Sequence, residues 1–220
     1  MISVITPTIR KEGLPLVKKA LERQTVEYEW LIGSPFDPEM GTWVKDDFTG
    51  GVWTLNRCSN KLVQNAKGDI IVSIQDHTFC TPEALEKFVF YLKDHKDYVI
   101  SGVGDKYDKV YPERGIKVWV DPRKRNTGQF RACNFNEIEG NFCALHKSAI
   151  YDVGGFQEDL DFLGYGMDWF CLLQRLNNKG YKFFIDETNE SFSETHGRVK
   201  DWDSKNLINI KYEVTDVKYI

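Results

Sequence analysis

The 220-residue chain has little with which to cross a membrane, grip nucleic acid or cross-link itself. No apolar run approaches the length of a bilayer span. The opening Ile2-Ser-Val-Ile5 has neither the basic n-region nor the long apolar h-region of a secretory leader. The formal charge is -4, so the basic face that general nucleic-acid binding requires is missing. Cys58, Cys80, Cys133, Cys143 and Cys171 are odd in number, widely spaced and without a Cys-x-x-Cys pair. That argues against a zinc ribbon or a disulfide framework and for reduced, structural thiols. Only four histidines occur. Internal repeats and low-complexity segments are absent too. Together these absences predict a soluble, cytoplasmic protein with no membrane span and no nucleic-acid partner.

What is present is an ordinary globular composition, 41% hydrophobic and 28% charged, in a chain long enough for one sizeable core. Aromatics reach 14%; they suit carbohydrate faces, and cores and interfaces equally. Ile2–Ile5 reads as a strand, 14–24 as a helix from its apolar spacing, and 29–33 as a second strand closed by Ser34-Pro35. This βαβ opening predicts a parallel sheet. Further helices are predicted over 56–66, stopped by Lys67-Gly68, and over about 82–92, 147–153 and 168–178. Strands are predicted at 70–74, 98–103, 141–146 and 181–185. Residues 104–136 are polar and turn-rich around a Val118-Trp119-Val120 patch, and read as a loop insert that shapes a specificity site. The tail over 201–220 is polar and weakly patterned. The whole of 1–220 is read as one domain.

The segment Ile70–His77 is the most informative. Ile70, Ile71, Val72 and Ile74 form the β-branched run of a strand buried on both faces, and it stops abruptly at Gln75-Asp76-His77. Ligands of open α/β sheets bind beyond the carboxyl ends of the strands. A carboxylate beside an imidazole can hold a divalent metal there. Strand ends are also polar without any such role, so the triplet alone leaves both readings open. Thr81 is expected to cap the helix that follows, with Pro82 in its first turn.

The order of motifs resembles the GT-A nucleotide-sugar glycosyltransferases, particularly glycosyltransferase family 2, over roughly residues 2–198. The series runs through Thr6-Pro7-Thr8 after the first strand, a helix bearing Asn60 ahead of Ala66-Lys67-Gly68-Asp69, and the strand ending in Gln75-Asp76-His77. It continues with Gly140-Asn141, Val153-Gly154-Gly155-Phe156, an acidic Asp168 opening a helix, and a late His196. The resemblance implies a GT-A α/β fold, a central mixed and mostly parallel sheet flanked by helices. It implies a metal-dependent transferase that moves a sugar from a UDP- or GDP-sugar donor to a glycan or other hydroxyl acceptor, with inversion.

By the same resemblance Thr6, Pro7, Thr8 and Arg10 line the donor nucleobase pocket, Asn60 lies beside it, and Asn141 meets the donor sugar. Gln75-Asp76-His77 stands where the family carries its Asp-x-Asp motif, and resembles the Asp-x-His variant with its first carboxylate neutralised. Gln75 can still hydrogen-bond a ribose hydroxyl. His77 and His196 are the implied ligands of Mn²⁺ or Mg²⁺, with Asp76 as an alternative ligand or donor contact. Arg198 or Lys200 could add positive charge beside them. His95 and His146 read as structural.

Asp168 is the implied base that takes the acceptor proton, one position ahead of Trp169, where the family's base aligns. An N-cap carboxylate is the competing reading, and Asp159 and Asp161 are fallback bases. The family's second-strand acid is missing, and Asp37 is the nearest substitute. Two other readings stay open: a catalytically idle sugar- or nucleotide-binding module, and a sugar-nucleotide nucleotidyltransferase.

Overall fold

A computed structural model describes residues 1–46, 54–125, 127–163, 168–195 and 218–220. Ten strands form one sheet: β1 (Ile2–Pro7), β2 (Tyr28–Ser34), β3 (Thr42–Lys45), β4 (Ile70–Ile74), β5 (Thr78–Cys80), β6 (Tyr98–Tyr107), β7 (Lys117–Trp119), β8 (Phe130–Ala132), β9 (Phe142–His146) and β10 (Lys182–Glu194). Among the described residues five helices flank it: α1 (Leu14–Leu21), α2 (Leu55–Asn65), α3 (Ala84–Leu92), α4 (Lys147–Asp152) and α5 (Asp168–Asn178). The main path is β3-β2-β1-β4-β9-β6-β10-β5, with β7 paired to β6 and β8 to β10. Along that path only β9 and β5 run against the rest, so the sheet is mixed and mostly parallel.

Alternation along the strands divides the core into two layers, because successive strand side chains point to opposite faces. Val4, Ile32 and Val72 face one side, where α1 and α3 cover them with residues such as Leu14, Val17, Leu85 and Phe88. Ile5, Leu31 and Ile71 face the other, under Leu62 and Val63 of α2, Ile150 of α4 and Leu172, Leu173 and Leu176 of α5. The result is a three-layer α/β/α arrangement. Its inner strands are buried on both faces, as at Ile70–Ile74, where all five residues are buried, Ser73 included.

Several local expectations are corrected. α1 stops at Leu21 rather than Gln24, whose side-chain amide donates to the carbonyls of Ala20 and Thr81. Gly68 does not end α2 by a left-handed turn. It is small because a Cβ there would stand 2.6 Å from the Met1 carbonyl and 2.8 Å from the Ser3 nitrogen. The Thr81 hydroxyl does not cap α3; the Thr81 carbonyl instead accepts from the Ala84 nitrogen at 3.1 Å.

The 104–136 segment is not a structureless insert. β6 runs on to Tyr107, and β7 and β8 both lie inside the segment. Most of the tail lies outside the described residues, but Tyr219 donates its backbone N–H to the Gly154 carbonyl, and Ile220 packs on the second core layer.

Candidate active site

The parallel strands β1 and β4 end side by side, and their carboxyl ends carry the densest set of sequence-predicted residues. Asp76 is 5% exposed and accepts from the Thr8 hydroxyl at 2.5 Å, from Arg10 Nε at 3.0 Å and from Arg10 Nη2 at 2.7 Å. Thr8 is anchored in turn by its backbone N–H to the Gly33 carbonyl of β2 at 2.8 Å. A two-point guanidinium–carboxylate fork of this kind fixes both position and plane. Arg10 has five N–H groups and the fork uses two of them, while its side chain stays 21% exposed at the open edge. Asp76 therefore orients Arg10, and both of its oxygens are engaged.

His77 follows with φ of 60°, a left-handed backbone that a side-chain-bearing residue adopts at some cost. The ring is buried against Gly13, where a Cβ would come within 2.5 Å of His77 Cδ2, so that glycine is what admits the imidazole. The His77 carbonyl accepts from the Glu194 nitrogen at 2.9 Å, tying the turn to the end of β10. The Gln75 nitrogen donates to the Asn141 carbonyl at 3.1 Å, which brings Asn141 to the same edge.

Other predicted contacts are spent elsewhere. Thr6 is fully buried; its hydroxyl donates to the Ile74 carbonyl at 2.7 Å and accepts from Trp30 Nε1 at 2.9 Å, so it holds the sheet together. Pro7 is buried within β1. Asn60 is 1% exposed and pins the Gly154–Phe156 turn: its amide donates to the Phe156 carbonyl and to Glu158, and its oxygen accepts from the Phe156 nitrogen at 2.7 Å. That leaves the amide no reach toward a donor.

Asp37 is exposed and accepts the Glu39 N–H in its own turn. Asp161, a fallback base, is buried and caps α2 from across the chain, accepting from the Asn56 and Arg57 nitrogens at 2.8 and 3.0 Å. Burial raises its carboxyl above the usual range, against the pull of those bonds. Asp159 is exposed and bonded to the Tyr219 hydroxyl at 2.8 Å.

Trp169 packs edge-on to Phe156 in the core, and a Cβ at Gly140 would collide with its indole. The position aligned with the family's base is thus a core position here. Asp168 opens α5, and its side chain is not among the described ones. His196, Arg198 and Lys200 lie outside the described residues. His146 is buried and bonded through Nε2 to the Leu92 carbonyl at 2.7 Å, and His95 stacks on Tyr98. No disulfide joins the five cysteines, and burial pushes the Cys80 and Cys133 thiols up to about 12.

A buried carboxylate beside β2 escaped the sequence reading. Asp46 stands at the end of β3, its nitrogen bonded to the Ser34 carbonyl of β2 at 3.0 Å. It is 1% exposed and gathers the Thr54 hydroxyl, Arg57 and Lys61 at 2.8 to 3.4 Å. The signal was Thr42-Trp43-Val44, a short β-rich run that brings an acid to the same edge as the acid-free end of β2.

Of the three residues that the resemblance assigns to a metal, Asp76 has both oxygens engaged, His77 is packed against Gly13 and His196 is undescribed. Among the described residues no group of three or more His, Cys, Asp or Glu side chains is placed to hold an ion. Asp76 and His77 are thus at most part of a metal site, which His196 would have to complete.

The family described as Glycosyl transferase family 2 matches residues 53–156, a little under half of the chain. No curated protein matches. Among solved structures, a GalNAc-T7 crystal structure with UDP, GalNAc and Mn²⁺ superposes with a TM-score of 0.69 at 11% identity, over 92% of this chain and 45% of that one. The S. aureus TarS 1-349 structure superposes with a TM-score of 0.64 at 12% identity, over 88% of this chain and 60% of that one. The chain therefore spans about half of the first neighbour and three fifths of the second. Its fold is the one these two structures share, the GT-A fold.

Proposed function

We propose that the chain is a glycosyltransferase that moves a sugar from a nucleoside diphosphate, UDP or GDP, to an acceptor hydroxyl with inversion. The observation that carries this reading is the cluster of Thr8, Arg10, Asp76 and His77 at the carboxyl ends of β1 and β4, where a GT-A sheet takes its ligand. In this reading the acceptor oxygen attacks the anomeric carbon as the bond from that carbon to the diphosphate oxygen breaks. The electron pair leaves with the diphosphate, and the acceptor proton passes to the Asp168 carboxylate. Arg10, held in plane by Asp76, meets the anionic oxygens of the donor, and its charge is worth most where the leaving group gains charge. Gln75 serves the ribose as an uncharged partner and Asn141 lies near the donor sugar.

A divalent cation, Mn²⁺ or Mg²⁺, bound through His77 and His196 would add Lewis-acid charge at the diphosphate. That part of the reading is supported by the Mn²⁺ in the GalNAc-T7 neighbour rather than by donors among the described residues. Titration calorimetry with UDP and GDP, in Mn²⁺ and in chelator, tests both parts. Nucleotide binding that falls about tenfold or more in Arg10→Ala is expected. Metal-enhanced binding lost in His77→Ala is expected for the cation. Absence of binding to either nucleotide under both conditions overturns the transferase reading. Asp168→Asn separates it from an idle binding module: turnover should fall while nucleotide affinity holds.

A further inference from the structure

Residues 111–120 are exposed without interruption, although five of them are large and apolar. Among the described residues β7 is paired on one side, antiparallel to Lys106 and Tyr107 of β6. Alternation puts Ile116, Val118 and Val120 on one face of this ribbon, and they are 73%, 50% and 60% exposed. The opposite face is engaged: Lys117 reaches the buried Asp105 at 2.6 Å, and the Lys106 ammonium lies 5.4 Å from the centre of the Trp119 ring. The bare face is therefore held out by a well-anchored back. Three adjacent β-branched side chains left in water, rimmed by charge, mark a surface that something covers.

The rim says what. Residues 104–136 carry eight Lys or Arg and four Asp or Glu, a local charge of +4 in a chain of -4. Lys106, Lys109, Arg114 and Lys117 of this set are exposed on and beside the ribbon, against two exposed acids, Asp108 and Glu113. Lysine is depleted in protein–protein interfaces, whereas a lysine-rimmed aliphatic strip with a tryptophan beside it suits an anionic headgroup layer. The ribbon grows from the carboxyl end of β6, where the Tyr107 carbonyl accepts the Thr195 N–H at 2.8 Å. That is the edge on which β1 and β4 also end.

We propose that the β7 ribbon docks the chain onto an anionic lipid surface, with Ile116, Val118 and Val120 entering the headgroup–acyl boundary and the surrounding cations meeting lipid phosphates. Docking would bring the ligand edge of the sheet to the membrane, but the proposal stands on the ribbon and not on the transferase reading.

Co-sedimentation with phosphatidylcholine vesicles containing about a quarter phosphatidylglycerol tests it, against phosphatidylcholine alone. The unmodified chain should bind the anionic vesicles, more weakly at high salt. Ile116→Ser, Val118→Ser and Val120→Ser together should weaken binding about a hundredfold. Lys109→Glu should weaken it about fivefold or more with the aliphatic strip intact. Thermal melting should be unchanged in both variants, since every altered residue is exposed. No sedimentation of the unmodified chain at low salt overturns the proposal, and so does binding indifferent to the triple change. A dimer seen by light scattering and abolished by the triple change assigns the strip to self-association and overturns it equally.

Discussion

The strand-end cluster and the 104–136 insert both bury carboxylates against cations, and they use them in opposite ways. At the strand ends one carboxylate, Asp76, holds one guanidinium whose side chain remains 21% exposed, so positive charge stays at an open edge. In the insert Asp105 and Asp121 are 1% and 0% exposed, and their partners tie one segment of the insert to another. Lys117 and Lys124 reach Asp105, while Arg123 forks onto Asp121 and the Gly104 nitrogen donates to it at 2.8 Å. The first arrangement orients a charge toward whatever arrives. The second consumes its charges in fastening β7 and the residues after it to β6. Exposure of one partner does not by itself mark a site, since Lys117 is 42% exposed against 21% for Arg10; position at the β1–β4 ligand edge does.

Asp121→Ala should give the largest effect on stability. It strands a guanidinium only 11% exposed and the Gly104 N–H, and the loss should be about 3–5 kcal/mol by urea denaturation. Nucleotide affinity should hold once folding is restored by lower temperature, because Asp121 bonds Arg123 and the Gly104 N–H rather than Thr8, Arg10 or His77. Asp76→Asn should cost less stability, about 1.5–3 kcal/mol, because Arg10 can turn to water. It should instead lower nucleotide affinity, as the fork that holds Arg10 in plane is lost. Equal losses of affinity in the two variants would erase the distinction between the regions.

How far the two regions could be read beforehand follows from the range of the interactions that make them. The double-buried run at Ile70–Ile74, the βαβ opening and the helix at Asp168–Asn178 are local patterns, and the fold class was legible from them. Gln75-Asp76-His77 was legible as a strand-end triplet at the ligand edge, but not the division of labour within it. Asp76 turns to Arg10, 66 residues earlier, and nothing in the local sequence announces that. Asn60 and Thr6 carry motif positions yet spend their polar atoms on Phe156, Glu158, Ile74 and Trp30, pairings fixed only by tertiary packing. β3, β5, β7 and β8 are three or four residues long. Each is a strand because a neighbour pairs with it, which no period-two pattern of that length can signal. Asp46 went unseen for that reason.

The smallest expected effect sets two buried carboxylates against each other by pH. Burial raises Asp105, but the bonds from Lys117, the Asp121 N–H and Lys124 outweigh it, and its carboxyl lies below the usual range. Asp105 therefore contributes stability that is present above the unfolded carboxyl range, near pH 4, and is lost as pH falls through its lower folded value. Asp161 has the opposite sign. Burial holds it above the usual range despite its α2 N–H bonds, so the folded chain takes up that proton before the unfolded chain does. Its contribution is fully present below the unfolded value and is lost as pH rises through the folded one. Unfolding free energies measured in urea across the acid range should thus fall less steeply toward low pH in Asp105→Asn than in the unmodified chain, and more steeply in Asp161→Asn. If the two variants bend the profile the same way, the insert and the α2 cap are not held by the different balances of burial and charge described above. Asp105 would then be carried by its surroundings as Asp161 is, rather than by its lysines.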